Sequence, residues 1–454
     1  MGSGLESRFE RYAEVMVQAL GHADRATPAR WYLRGLMLPG ARKSVEPMAA
    51  RVHPQDVCSA HQSMHHLVAD SDWSDQVLLA AVAREVVPVL TEHGEARCFW
   101  IIDDTGHRKY GRHSVGVARQ YCGQLGKTEN CQVAVSLTLA TAEGSLPLSY
   151  RLYLPREWTE DNTRCKRAGV PTEIRFATKD ELAWAQIEAA LAAGVPRGIV
   201  LMDSAYGDNA ALRDRLSAQG LSYAVAVRAH TAVWWAEHQP APAPVRQHAG
   251  GRPRTRLARD ETHQPISMLE LARALPAGSY RTISWREGTN GRLTSRFARV
   301  RVCAAQANRP RAEEWLLIEW PKGEAEPVHY FLSNLAQGIS LNDLVDTVKM
   351  RWRIERDYLE LKQELGLGHY EGRNWRGFHH HASLCIAAYG FLTLERLAGL
   401  KKNAARLKAP AVSEEFRPRG ARPDAAPHPV VDRDGVLPSG ARHRARSSAM
   451  SVLR

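Results

Sequence analysis

Cysteine is scarce: seven residues, at 58, 98, 122, 131, 165, 303 and 385, in a chain of 454, with no Cys-x-x-Cys pair among them. That spacing excludes a zinc ribbon, and the odd number suits free thiols in a reducing compartment better than a disulfide framework. Long hydrophobic runs are missing too. The longest uncharged apolar stretch, ASLCIAAYGFLTL at 382–394, is too short to span a bilayer, and the N-terminus MGSGLESRFERYAEVM lacks the apolar centre of a signal peptide. The expectation is a soluble, cytoplasmic protein with no membrane partner. No Gly-x-Ser-x-Gly elbow supports a nucleophilic serine, and no internal repeat is evident. From residue 401 on, Trp and Tyr are absent and one Phe remains, beside twelve Lys and Arg, five acids and six prolines. Such a composition buries little surface, so 401–454 is expected to be a basic, disordered tail.

What is present is a basic excess: 61 Lys and Arg against 49 Asp and Glu, a net charge of +12 and a pI near 9.5. A polyanionic partner fits that balance, although charge alone does not select one. The hydrophobic fraction of 44% supplies a sizeable core, and the length suggests two or three folded units.

Residues 1–95 read as a helical domain. ERYAEVMVQAL has helical apolar spacing, and SDQVLLAAVAREVVPVL repeats it after a capping Ser74-Asp75 start. The segment RWYLRGLMLPGARKS is either a DNA-facing element or a solvated basic face. From 96 to 230 the pattern alternates: RCFWIIDDTG, QVAVSLTLAT and LPLSYRLYLP as strands, KDELAWAQIEAALAAG as a helix, then GIVLMD, NAALRDRLSAQG and SYAVAVRAH as strand, helix and strand. This order gives an α/β class with a mixed sheet, and FWII and IVLM read as central strands covered on both faces. Residues 231–337 read as a β-rich insertion opened by the linker-like PAPAPVRQHAGGRPRTR. Residues 338–400 return to helix, beginning with one long helix over SLNDLVDTVKMRWRIERDYLELKQELGL.

Three acids stand where such a sheet presents side chains. Asp103 ends the first strand, Asp203 follows IVLM, and Glu355 lies in the long helix with Arg351 at i−4, Tyr358 at i+3 and Lys362 at i+7. Carboxylates from two strand ends and a helix across them suit a pair of Mg²⁺ ions for phosphoryl transfer; the alternative around Glu355 is a set of surface ion pairs. Alternation leaves Asp103 and Asp104 symmetric, one on each face of an apolar strand. Asp208 competes with Asp203 but is expected to be the N-cap of the next helix. His379, His380 and His381 suggest metal, DNA contact or packing; consecutive histidines on a helix cannot all face one ion. Lys109, Arg112 and Arg119 in KYGRHSVGVARQY offer phosphate contacts or plain turn structure, and Trp234, Trp235 and Trp285 offer base stacking or core packing.

The series IDDTG, GRHSVGVARQYCGQLGKTENCQVAVSL, LMDSAYGDN and RWRIERDYLELKQELGLGHYEGRNWRGFHHH, together with RGLMLPGARKSVEPMA, resembles the DDE transposases of bacterial insertion sequences, within them the insertion sequence 701 family. The resemblance spans roughly residues 10 to 400. It implies an RNase H-like catalytic core with a β-rich insertion between the second aspartate and the glutamate. It also implies Asp103, Asp203 and Glu355 as catalytic metal ligands for two Mg²⁺, with Mn²⁺ able to substitute, and it selects Asp103 over Asp104. Arg351, Glu355 and Lys362 match the family's Tyr-x2-Arg-x3-Glu-x6-Lys signature, while Val348 stands at its Tyr position. The implied partners are double-stranded DNA, as terminal inverted repeats and target, and a second copy of the chain. A catalytically inactive or domesticated DNA-binding regulator is the rival function, and a nuclease on RNA–DNA hybrids a more distant one.

Overall fold

A computed structural model of the chain describes residues 2–92, 97–236, 264–288, 291–305 and 311–408. The linker-like stretch at 240–256 lies outside the described residues, as does the expected tail from 409 on, whereas its first residues, 401–408, are helical instead of disordered because they continue the last helix of the core. Residues 1–404 form one compact unit; of the second, beginning at Ala405, only the end of a helix is described.

The chain opens with helices α1 (Gly2–Ala19), α2 (Ala26–Met37), α3 (Val45–Val52), α4 (Val57–Ala69) and α5 (Asp75–Leu90). Ser74 starts α5 as its sequence suggests, its hydroxyl accepting from the Val77 N–H at 3.4 Å. The aromatic and basic segment at 30–44 packs one face into the core and leaves residues 38–42 exposed. Tyr32, Leu33 and Leu36 are buried, and Arg30 and Arg34 pair with Glu6, Glu10 and Glu14 of α1.

Four strands follow, β1 (Phe99–Arg108), β2 (Ala118–Cys122), β3 (Lys127–Ala140) and β4 (Ser145–Leu152), then α6 (Arg156–Thr159), α7 (Asn162–Arg167) and α8 (Lys179–Ala192). Next come β5 (Ile199–Met202), α9 (Ser204–Gly207), α10 (Ala210–Ala218) and β6 (Tyr223–Val227). β1 runs antiparallel to β3 and parallel to β5, which is parallel to β6. This mixed sheet is an RNase H-like core. Phe99 to Ile102 and Val200 to Met202 are buried, because both faces of these central strands are covered.

The insertion supplies β7 (Ala232–Trp235), β8 (Ile266–Ser267), α11 (Met268–Ala274), β9 (Arg281–Gly288), β10 (Gly291–Ala304), β11 (Glu313–Glu319) and β12 (His329–Ser333). Among the described residues it continues the core sheet rather than standing apart from it. The order is β2-β3-β1-β5-β6-β12-β11-β10-β7-β8, with β4 beside β3 and β9 beside β10.

The single long helix expected at 340–367 is two helices, α12 (Leu341–Lys349) and α13 (Trp352–Gln363). Across Met350 and Arg351 the backbone bonds tighten to i−3: Arg351 N–H to Val348 O at 3.4 Å, Arg353 N–H to Met350 O and Ile354 N–H to Arg351 O, both at 3.1 Å. The periodicity reads through this break because residues on both sides favour helix.

The final helix, α14 (Trp375–Lys408), holds the three consecutive histidines in the core. His380 stacks on Trp73 at 3.6 Å, His381 bonds the Tyr32 hydroxyl at 2.8 Å, and His379 Nε2 accepts from the Leu152 N–H at 3.3 Å. Burial pushes all three imidazoles down to about 4, so they are neutral packing groups. Its stretch 375–401 has the length and composition to cross a membrane, but 61% of the most apolar window is buried inside the protein. It is a core helix by its contacts, with Tyr12 donating to the Ala387 carbonyl at 2.8 Å and Arg8 paired to Glu395.

Candidate active site

The strand carrying Asp103 does not end there. β1 runs five residues further, with Asp103 opposite Ser136 and Gly106 opposite Val133 of β3. The Thr-Gly pair therefore stays in the ladder instead of turning. On the other side, β5 stops at Met202, opposite Ile102. Asp103 and Asp203 are the next residue on each of these parallel neighbours, so they stand side by side where the pairing ends.

Asp203 begins α9, its Oδ1 accepting from the Ala205 N–H at 3.0 Å. The turn behind it needs Gly207, since a Cβ there would run into the Ala226 carbonyl of β6. Asp208 is not the N-cap of α10. Asn209 fills that role, with its Oδ1 accepting from the N–H groups of Ala211 and Leu212 at 3.0 and 3.2 Å. Asp208 instead turns to the segment after β6, accepting from the Arg228 N–H at 3.0 Å and the Arg228 Nε at 2.7 Å.

α13 brings the third acid. Its orientation is fixed from below by Tyr358, whose hydroxyl meets Ser136 Oγ at 2.7 Å, and by the buried Asp357, which accepts from Ser145 Oγ at 2.6 Å and the Tyr389 hydroxyl at 2.8 Å. Glu355 projects from the first turn and remains largely exposed. Arg351, at the break, joins the two sides: Nη1 lies 3.1 Å from Asp103 Oδ2 and Nη2 lies 3.0 Å from Glu355 Oε1. Lys362 donates to the Gly106 carbonyl at 3.0 Å and to Gln124 Oε1 at 2.9 Å. Asp103, Asp203, Glu355, Arg351 and Lys362 thus border one cleft of about 400 Å³, together with Asp104 and Tyr358.

Burial raises Asp103 to about 7, against the opposing effect of Arg351, with Asp203 and Asp104 adding to the rise. Asp203 is raised for the same first reason. Burial also lowers Lys362 to about 8. An acid pair held this unfavourably would gain from a bound cation. The hard carboxylate oxygens suit a hard divalent cation by donor type. Among the described residues, however, no three His, Cys, Asp or Glu side chains are gathered to hold one ion, and Glu355 is engaged with Arg351.

Asp104 faces other partners: its Oδ2 accepts from Lys179 Nζ of α8 at 2.7 Å and from the Tyr206 hydroxyl at 3.3 Å. Lys109 is engaged with the Tyr370 carbonyl at 2.7 Å. Arg112 is exposed and accepts through its carbonyl from Arg164 at 3.1 Å, while Arg119 lies exposed on β2; none of these three borders the cleft. Trp234 is fully buried against stacking, Trp235 half-buried, and Trp285 is engaged with Lys349. Lys179, Tyr206, Asp357 and Gln124 were not legible as site residues, because each acts through a contact distant in sequence.

The profile of the DDE superfamily endonucleases matches residues 15–292. That span includes Asp103 and Asp203; Arg351, Glu355 and Lys362 lie beyond it. Over 173 residues, 37% of this chain and 41% of the other, the sequence is 31% identical to a Microchaete diplosiphon protein described as a probable transposase for insertion sequence element IS701. The chain thus spans less than half the length of that relative. With the sheet, the paired aspartates and a match over more than half its residues, the chain belongs to the DDE superfamily endonucleases.

Proposed function

We propose that the chain is a DNA transposase that binds the ends of its own element, cuts there, and joins the freed 3′-OH to target DNA. The observation carrying this reading is the placement of Asp203, just past the end of β5, beside Asp103 within the neighbouring β1, with Arg351 linking Asp103 to Glu355. These three carboxylates are the candidates to hold two Mg²⁺ ions, or Mn²⁺ in their place. When bound, such ions activate a water or hydroxyl and stabilise the leaving oxygen of an in-line displacement. Accepting them requires Glu355 to exchange Arg351 for an ion. Arg351, so released, and Lys362 are cations suited to hold the phosphodiester or the leaving strand.

The exposed Arg112 and Arg119 offer further phosphate contacts, as do the basic residues of the helical region at 1–95, which we assign to end recognition. Lys109, tied to Tyr370, would act by fixing the loop that carries it. Joining two ends calls for two copies of the chain on DNA, and the nucleoid is the compartment this reading requires.

The test is end cleavage and strand transfer with Mg²⁺, comparing wild type with Glu355→Gln on duplexes carrying the element's ends. Cleavage by wild type and its loss by at least a hundred-fold in the variant, with DNA binding kept, is the expected result. Metal-dependent cleavage that survives the substitution would sink the triad. Tight binding without cleavage by wild type would favour the regulator.

A further inference from the structure

We propose that the insertion grips the α12–α13 break and is thereby a positioning element for Glu355, with Trp285 and Arg286 of β9 as the gripping residues. This rests on the carboxylate triad of the proposed function. The break is where helical bonding is weakest, so the direction in which Arg351 and Glu355 point is not set by the helix alone. Two contacts from successive residues of one insertion strand hold the two sides of it. On the α12 side, the Lys349 ammonium sits 4.3 Å above the Trp285 ring and 2.7 Å from Glu319 of β11, whose side chain is only 5% exposed. Trp285 is in turn fixed edge-on against the buried Phe297 at 5.7 Å. On the α13 side, the Arg286 guanidinium lies 4.1 Å above the Trp352 ring.

Residues 349 and 352 are therefore pinned to the insertion, and Arg351 lies between them. Arg351 and Glu355 belong to the same short segment, and Glu355 is one helical turn from the pinned Trp352. The insertion strands are continuous with the core sheet through β12 and β6, which gives the grip a rigid base. A cation over an aromatic ring and a buried ion pair are directional contacts, so they fix a rotation as well as a distance. Loss of the grip should leave the aspartates where they are and loosen the first turn of α13, which carries Glu355, ahead of the anchors at Asp357 and Tyr358.

The test uses the full chain with two readouts. In amide hydrogen exchange of the metal-free protein, Trp285→Ala should speed exchange at 350–356 while α14 and β1 keep wild-type protection. In Mn²⁺ binding, followed by the spectroscopic signal of the free ion, the same variant should bind about five-fold more weakly, the scale of one such contact. Trp285→Phe, which keeps a ring, should restore both. In a Glu355→Ala background, Trp285→Ala should cause no further loss of Mn²⁺ affinity. Wild-type exchange at 350–356 in a folded Trp285→Ala would overturn the proposal, as would an equal loss of Mn²⁺ affinity with and without Glu355. Failure of the wild type to bind Mn²⁺ would reject the triad reading instead, and the exchange experiment would still decide the grip.

Discussion

The Asp104 carboxylate and the Lys179 ammonium stand 2.7 Å apart, joining β1 to the first turn of α8, while the neighbouring Asp103 turns to Arg351. Two consecutive acids on one strand therefore serve different partners, as the alternation of side chains requires. We expect Asp103→Asn to reduce DNA cleavage by about a thousand-fold or more, the scale for losing a group that stabilises the transition state. Asp104→Asn should lower it by roughly ten-fold or less and destabilise the fold by about 1 kcal/mol through the half-buried pair with Lys179. Cleavage rates and urea titrations of the two variants check this, and equal losses of activity would contradict it.

The buried Asp103 makes stability depend on pH. Burial raises its folded pKa to about 7, so the folded chain keeps a proton that the unfolded chain releases from about pH 4 upward. Stability is therefore lost as pH rises from about 4 to about 7, the opposite of a salt-bridged carboxylate with a depressed pKa. With metal chelated, Asp103→Asn should be more stable than wild type at pH 8 by about 2 kcal/mol, and the gain should shrink towards pH 4. Denaturant unfolding at both pH values measures it.

Lys362 titrates within reach of ordinary buffers, because burial lowers its pKa to about 8. Its ammonium is lost as pH rises through that value, so DNA affinity should fall by roughly three-fold between pH 7 and pH 9 as one phosphate contact weakens. Lys362→Arg keeps its charge over this range and should hold its affinity. Fluorescence anisotropy with labelled duplex decides the matter: parallel falls in both proteins would remove Lys362 from the DNA contact.

Gly207 governs the placement of Asp203. A Cβ there meets the Ala226 carbonyl, backbone that cannot swing aside, so Gly207→Ala should destabilise the protein by about 2 kcal/mol or more. Thermal melts report the loss. Activity at a temperature where the variant is folded should fall as well, since relieving the clash moves the turn that begins at Asp203.

FWII and IVLM are legible as buried strands with acids directly after them, but the pattern leaves Asp103 and Asp104 equivalent, and only the family resemblance selects Asp103. The strand boundary is not legible. β1 continues through Thr105 and Gly106 because β3 is long enough to pair with them, and partner length is invisible in a local pattern. The helical spacing of Arg351 and Lys362 to Glu355 leaves a site and a set of ion pairs both open, and the family signature chooses between them; all three residues border the cleft. The break before Glu355 is invisible in the sequence, since Met350 and Arg351 are good helix formers and what bears on the break comes from residues 285 and 286, some 65 positions away. Asp208 reads as the cap of α10 for a narrower reason: Asp and Asn are equally good caps, and two in succession leave the choice to the backbone, which takes Asn209.

β6 has β5 on one side and β12 on the other. If the chain were trimmed between the end of β6 and the start of α12, residues 224–227 would lose the partners that Tyr330 to Ser333 supply. A bare central strand of this kind recruits strands from other molecules. Cutting the insertion away would therefore turn β6 into an unpaired edge, and shortened versions of this protein should be sought in its loops and not at that border.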